Sequence, residues 1–163
     1  MARIWKFGSD VDTDQIVPGR YAPYMRPNED VGGAAFIEAR PEFAQSCKPG
    51  DIIVALSNFG CGSSREYAAT ALIRRQVGAI IAESFARIFY RNALNLGLPL
   101  IVSPEAARGL KDGEEVEFDL ASGKITTTGR VYQLPEMPLF AQEILREGGI
   151  VHYVRKFGKF PGQ

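Results

Sequence analysis

Soft metal ligands are almost missing from this chain. Its 163 residues hold two cysteines, Cys47 and Cys61, and one histidine, His152. A structural zinc site needs about four clustered Cys or His ligands, and an iron–sulfur cluster about three or four cysteines. Neither is expected to be held by this chain alone. Two cysteines make no disulfide scaffold. A Ser-His-Asp triad would have to recruit His152, far in sequence from any good nucleophile. An excess of charge of one sign is also missing, since 19 Lys and Arg balance 19 Asp and Glu. That excludes the broad basic footprint of a nucleic-acid or anionic-membrane binder. No apolar run approaches the roughly 20 residues that span a bilayer. The first residues, MARIWKFGSD, lack the apolar stretch of a signal peptide. With 45% hydrophobic residues, no repeat and no low-complexity linker, one cytoplasmic domain over 1–163 is the expectation. Its chemistry would run on carboxylates, hydroxyls, arginines and backbone dipoles, or on a metal borrowed from a partner.

What is present reads as α/β. Arg3–Phe7 alternates as a short strand, and Gly8–Pro27 reads as a long loop, a length at which loops are often functional. Pro41 opens a short helix to about Ser46, and Lys48-Pro49-Gly50-Asp51 turns into the apolar strand 52–56. A Gly-rich loop, Asn58–Gly62, leads into a helix from about Ser64 to Gln76. Strand 79–82, helix 85–96 and strand 98–102 complete a β-α-β-α-β run, the pattern of a parallel sheet with right-handed crossovers. Ser103 caps a short helix with Pro104 in its first turn. Beyond Leu110 the turns Asp112-Gly113 and Ser122-Gly123 bracket a strand over 115–120, with another over 130–134. Helices over 138–146 and on to about Lys156 end the chain.

Three segments bear on chemistry. Asn58-Phe59-Gly60-Cys61-Gly62-Ser63-Ser64-Arg65-Glu66 lies where a strand ends and a helix begins, the usual ligand position of open α/β sheets. Free N–H groups at the helix start, two hydroxyls and an arginine fork suit a carboxylate or phosphate. Equally, Ser63-x-x-Glu66 reads as a capping box that needs no ligand. A Walker A loop lacks its Lys, a dinucleotide fingerprint its third Gly, and a nucleophile elbow its second Gly. In the second segment, Asp10–Tyr21, alternate acids suggest a calcium loop, but the later Gly and Glu of an EF-hand are absent, and a solvated turn accounts for it. In the third, Glu83–Asn92, Phe85, Ile88 and Phe89 lie at core spacing, and Arg87 is placed to face the same sheet edge as Arg65.

Taken together, Asp-x-Asp-Thr-Asp-x-Ile at 10–16, Gly-x-Gly-Ser-Ser-Arg-Glu at 60–66 and Ser-Phe-Ala-Arg-Ile at 84–88 resemble the small subunit of the aconitase-type dehydratases. Within that family the likeness is above all to the 3-isopropylmalate dehydratase branch, and equally to the swivelling domain of aconitase. The resemblance runs in order through Asn92–Leu100 to the tail Gly158–Pro161. It implies a swivelling β/β/α domain, with a parallel sheet plus antiparallel strands. It implies a hydro-lyase of leucine biosynthesis that isomerises a small hydroxy-di- or tricarboxylic acid by removing and re-adding water. Homoaconitase and 2,3-dimethylmalate or citraconate-type hydratases are the alternatives within the class, and a stand-alone anion-binding module lies outside it. The 4Fe-4S cluster would sit in a separate large subunit, in a heterodimer or heterotetramer, with no cofactor or metal bound by this chain. By the same likeness Ser63 matches the catalytic base and Asp14 the acid that interacts with it. Ser64 and Arg65 match residues that bind a substrate carboxylate, and Arg26 falls where aconitase places a substrate arginine. Cys61 matches no cluster ligand.

Overall fold

The computed structural model describes residues 1–163 and holds one seven-stranded sheet, ordered β4-β3-β2-β1-β5-β6-β7. The strands are β1 Ala2–Lys6, β2 Ile52–Ala55, β3 Ala79–Ala82, β4 Leu100–Val102, β5 Glu115–Asp119, β6 Lys124–Thr126 and β7 Val131–Gln133. β1 to β4 pair parallel, and β5 joins the free side of β1 antiparallel. β6 and β7 then continue as an antiparallel ribbon. Parallel plus antiparallel is thus the arrangement found. Strand β6 is the one the sequence pattern does not reveal. Of its three residues, Lys124 is exposed, Thr126 half-buried and only Ile125 buried.

Continuous apolar strands are needed because helices cover both faces of the parallel half. Alternation decides which residue goes where. Trp5, Ile53, Ala55, Ile80 and Ala82 face one core, with α3 Glu66–Arg74 and α4 Arg87–Asn95. Ile4, Ile52, Val54 and Ile81 face the other, with α5 Pro104–Gly109 and the ribbon. Ser103 caps α5 by accepting from the Ala106 N–H, as its place before Pro104 requires. Asp51 is only 4% exposed, and burial of a carboxylate is tolerated because it accepts from Arg3 N, Trp5 Nε1 and Lys48 N.

The segment expected as one long loop after β1 has structure of its own. It folds into α1 Thr13–Ile16 and a 3-10 turn over 19–21, and a second 3-10 turn follows over 31–34. The signal for α1 lay in Asp12 and Gln15. The Asp12 side chain accepts from Asp14 N and Gln15 N while the Gln15 side chain accepts from the Asp12 N–H. Further on, α2 Pro41–Ser46 starts with its proline as expected, and α6 Leu139–Arg146 and α7 Ile150–Phe157 close the chain.

Candidate functional site

The loops leaving β1, β2 and β3 meet at one edge of the parallel sheet. Val11 accepts from Gly60 N at 2.7 Å, and Thr13 N donates to the Cys61 carbonyl at 2.9 Å, so residues 11–13 and 60–61 form a parallel bridge. On the other side Phe59 N donates to the Ser84 carbonyl and Ala86 N to the Phe59 carbonyl. Asn58 reaches across both, donating its side-chain amide to Asp10 and its backbone N–H to Ser84 Oγ. Gly60 sits at φ +87°, and a Cβ there would fall 2.2 Å from Phe89 Cγ. Glycine is required at that position on both counts.

These straps change two helix starts. The backbone of Phe85 is used in a bridge with Phe59, so α4 begins at Arg87 rather than at Phe85. The expected capping box Ser63-x-x-Glu66 does not form. Arg65 is the N-cap of α3, with no side-chain cap, and Arg65 N turns back to the Ser63 carbonyl. The Ser63 carbonyl is engaged instead, accepting from Arg65 N at 2.8 Å and from the Thr13 hydroxyl at 3.2 Å. Ser63 and Ser64 are therefore exposed, and the first-turn N–H groups of α3 have no side-chain partner. Ile88, expected at core spacing, is 55% exposed, whereas Phe89 is buried against Phe59.

Arg65 reaches back over Gly19 and pairs with the Asp14 carboxylate. Partial burial works against its charge, but Tyr67 and Asp14 beside it more than offset that and hold its pKa above the ordinary arginine value. Asp14 therefore stands on Arg65, and Ser63 Oγ lies 3.5 Å from Thr13 Oγ1 instead. Tyr67 is a residue the motif reading passed over. Its hydroxyl oxygen is sealed from solvent and makes no well-formed hydrogen bond, with the Arg65 guanidinium beside it turned to Asp14. Burial pushes its pKa up, Arg65 pulls it back, and Tyr24 and Asp14 push it up again. Its one sequence signal was its place two residues after Arg65.

An open cleft of about 390 Å³ lies alongside, lined by Asp14, Pro18, Gly19, Arg20 and Glu38. Arg20 in it is paired with Glu38. Arg26 is not brought to Ser63. Its guanidinium lies 4.3 Å from the Tyr21 ring centroid, donates to the Arg20 carbonyl and pairs with Glu29 at 3.3 Å. Tyr24 and Met25 are exposed on the same loop. Burial, then Asp12 and Asp10, push the Cys61 thiol above its ordinary pKa, which leaves it a poor nucleophile. No three His, Cys, Asp or Glu side chains converge anywhere as a metal site. A further cavity, about 570 Å³, lies elsewhere, between the ribbon and α6, and includes Leu120, Leu134, Gln142 and Arg146.

An exposed serine hydroxyl, an uncapped helix start and a guanidinium already matched to one carboxylate are groups whose chemistry suits an anion. Residues 10–105 match the family model of the aconitase C-terminal domain. The homoaconitase small subunit of Thermus thermophilus is 49% identical over 163 residues, covering 100% of both chains. The 3-isopropylmalate dehydratase small subunit 1 of Deinococcus radiodurans is 47% identical over 100% of this chain and 92% of its own. Among solved structures, the 3-isopropylmalate dehydratase of Methanocaldococcus jannaschii superposes with a TM-score of 0.85 at 42% identity, over 95% of this chain and 92% of that one.

Proposed function

Since the chain belongs to the aconitase C-terminal domain family, we propose that it is the small subunit of a hydro-lyase interconverting 2-isopropylmalate and 3-isopropylmalate in leucine biosynthesis. The observation that carries the reading is the meeting of Ser63, Ser64, Arg65 and Asp14 at one sheet edge. Relatives of matching length are named small subunits of such enzymes. The family's 4Fe-4S cluster does not fit this chain, whose only cysteines, Cys47 and Cys61, belong to no convergent ligand group. It is assigned to a large-subunit partner, where it would supply a Lewis acid for the leaving hydroxyl.

This chain contributes the base and the carboxylate grip. Ser63, deprotonated, takes the proton from the substrate carbon, and the positive end of α3 beside it favours the negative oxygen. Ser64, the uncapped N–H groups and Arg65 hold a substrate carboxylate. In the free chain that place on Arg65 is taken by Asp14. Substrate therefore displaces one carboxylate with another, and the released Asp14 turns toward Ser63.

A homoaconitate-type substrate is the second reading, favoured by Arg20 in the cleft beside Asp14 and by the Thermus relative. The test is reconstitution with a cluster-bearing large subunit, assayed on 2-isopropylmalate, homoaconitate and 2,3-dimethylmalate. The isolated chain is expected to show no turnover, and the mixture to turn over isopropylmalate with the highest kcat/KM. Robust dehydration by the isolated chain would sink the half-site, and tight ligand binding without a partner would favour the anion-binding module. Arg26→Ala refines the assignment. If Arg26 leaves Glu29 for a distal carboxylate, the variant costs a homoaconitate-type substrate about 2–4 kcal/mol in kcat/KM and isopropylmalate much less. Equal losses would place Arg26 on the common malate core.

A further inference from the structure

Thr13 is 3% exposed, yet its hydroxyl has two oxygens of one residue within reach. It lies 3.2 Å from the Ser63 carbonyl and 3.5 Å from Ser63 Oγ. The hydroxyl carries one proton and cannot donate to both at once. Its position is fixed from behind, because Thr13 N is bound to the Cys61 carbonyl and the Asp12 side chain caps the same turn. Gly62 makes the approach feasible. A Cβ there would stand 3.2 Å from Thr13 Oγ1, at φ +100°.

We propose that Thr13 is a positioning residue for the Ser63 base, a switching donor that serves the Ser63 carbonyl while Ser63 is protonated and turns to Ser63 Oγ when it is not. This rests on the reading of Ser63 as the base. With Ser63 protonated, Thr13 donates to the carbonyl and accepts from the Ser63 O–H. With Ser63 deprotonated, the Thr13 proton rotates about its own C–O bond to the negative oxygen. A hydrogen bond to an ionised oxygen is roughly twice as strong as a neutral one, and burial of the donor shields it from competing water. When Ser63 takes the substrate proton, a C–H bond breaks, an O–H bond forms and the freed electron pair expels the hydroxyl. When water is added back, Ser63 returns the proton to carbon and is deprotonated again, and Thr13 rotates with each change. Thr13 neither gains nor loses a proton. The donor oxygen is thereby held within reach before Ser63 ionises, and only its proton has to rotate.

The experiment uses the assembled two-subunit enzyme with Thr13→Val, Thr13→Ser and Ser63→Ala, and substrate deuterated at the carbon that loses its proton. Thr13→Val should lower kcat about 100-fold, because deprotonated Ser63 loses its charge-assisted donor and is less populated. KM should stay within about threefold, because the Ser64 and Arg65 grip is untouched. The deuterium isotope effect on kcat should rise as proton abstraction becomes slower. Thr13→Ser, which keeps the hydroxyl, should return kcat to within about fivefold of the parent. Where Thr13→Val does not fold, Thr13→Cys carries the same expectation, since a thiol is a weak donor of similar size. A joint change of kcat and KM with no change in isotope effect, or no rescue by Thr13→Ser, would make Thr13 a loop strut and overturn the proposal. An inactive Ser63→Ala beside an unimpaired Thr13→Val overturns the role of Thr13 alone. A fully active Ser63→Ala overturns the base reading, and this proposal with it.

Discussion

Ser63 and Tyr67 carry opposite signatures of a working residue. Because Ser63 caps nothing, Ser63→Ala should cost the isolated chain less than the roughly 1 kcal/mol of a lost cap. In the assembled enzyme it should lower kcat by several orders of magnitude. Thermal melts of the chain beside steady-state rates of the complex check both. A mutant that loses stability and keeps its rate would favour a structural serine. Tyr67 is different, since its buried hydroxyl makes no well-formed hydrogen bond, Arg65 beside it being turned to Asp14, and such a group costs about 1–3 kcal/mol to bury. Tyr67→Phe should therefore raise the melting temperature of the isolated chain, and a lower one would show that the hydroxyl is satisfied after all. Ser63, Ser64, Arg65 and Asp14 were all legible in the sequence as motif residues. The partners that decide their conformations were not. Capping chemistry reads three residues along the chain, whereas Thr13 acts on Ser63 from 50 residues away. The same holds for Asp14, expected on Ser63 and found on Arg65.

Among the elements, the apolar strands β2 and β3 were readable to within a residue, because every position in them is buried and carries an apolar side chain. Helix starts were less so, since tertiary bridges between Asp12 and Cys61 and between Phe59 and Phe85 override local preference. Those bridges make the loop after β2 a rigid part of the sheet edge, and Gly60 is its tightest point. Gly60→Ala would drive a methyl into Phe89 and strain a backbone at positive φ. We expect a loss of about 2–4 kcal/mol in urea denaturation, with kcat falling in the assembled enzyme as Ser63 is displaced. A stable Gly60→Ala with an unchanged rate would mean that Phe89 yields and the loop position is not critical.

At the scale of the whole molecule, one cationic strap ties the parallel half to the antiparallel half. Arg40, before α2, donates to the Lys6 carbonyl at the end of β1 and to both oxygens of Asp112 in the turn before β5. Burial alone would raise the Asp112 pKa, but the Arg40 hydrogen bonds and the Lys6 N–H outweigh it and hold the carboxyl below its ordinary value. A depressed carboxyl contributes stability above its unfolded pKa, near 3.9, and loses it as pH falls toward the folded value. Asp112→Asn should therefore flatten the stability curve only below about pH 4. The effect should stay under about 1 kcal/mol, because Asp112 is half exposed and water screens the pair. An unchanged pH dependence in that variant would remove the strap from the account.

The sheet order also has a consequence for how the chain is made on the ribosome. β1 is the first strand to emerge, yet it lies in the middle, between β2 at residue 52 and β5 at residue 115. Until β2 and its helices arrive, the nascent chain can cover Trp5 only in part, with Arg40 and Phe43. The other edge of β1 stays open for roughly ten seconds more of translation, until β5 follows. For that interval the seam of the finished molecule is a sticky edge, open to chaperones or to the neighbouring chain on the same messenger.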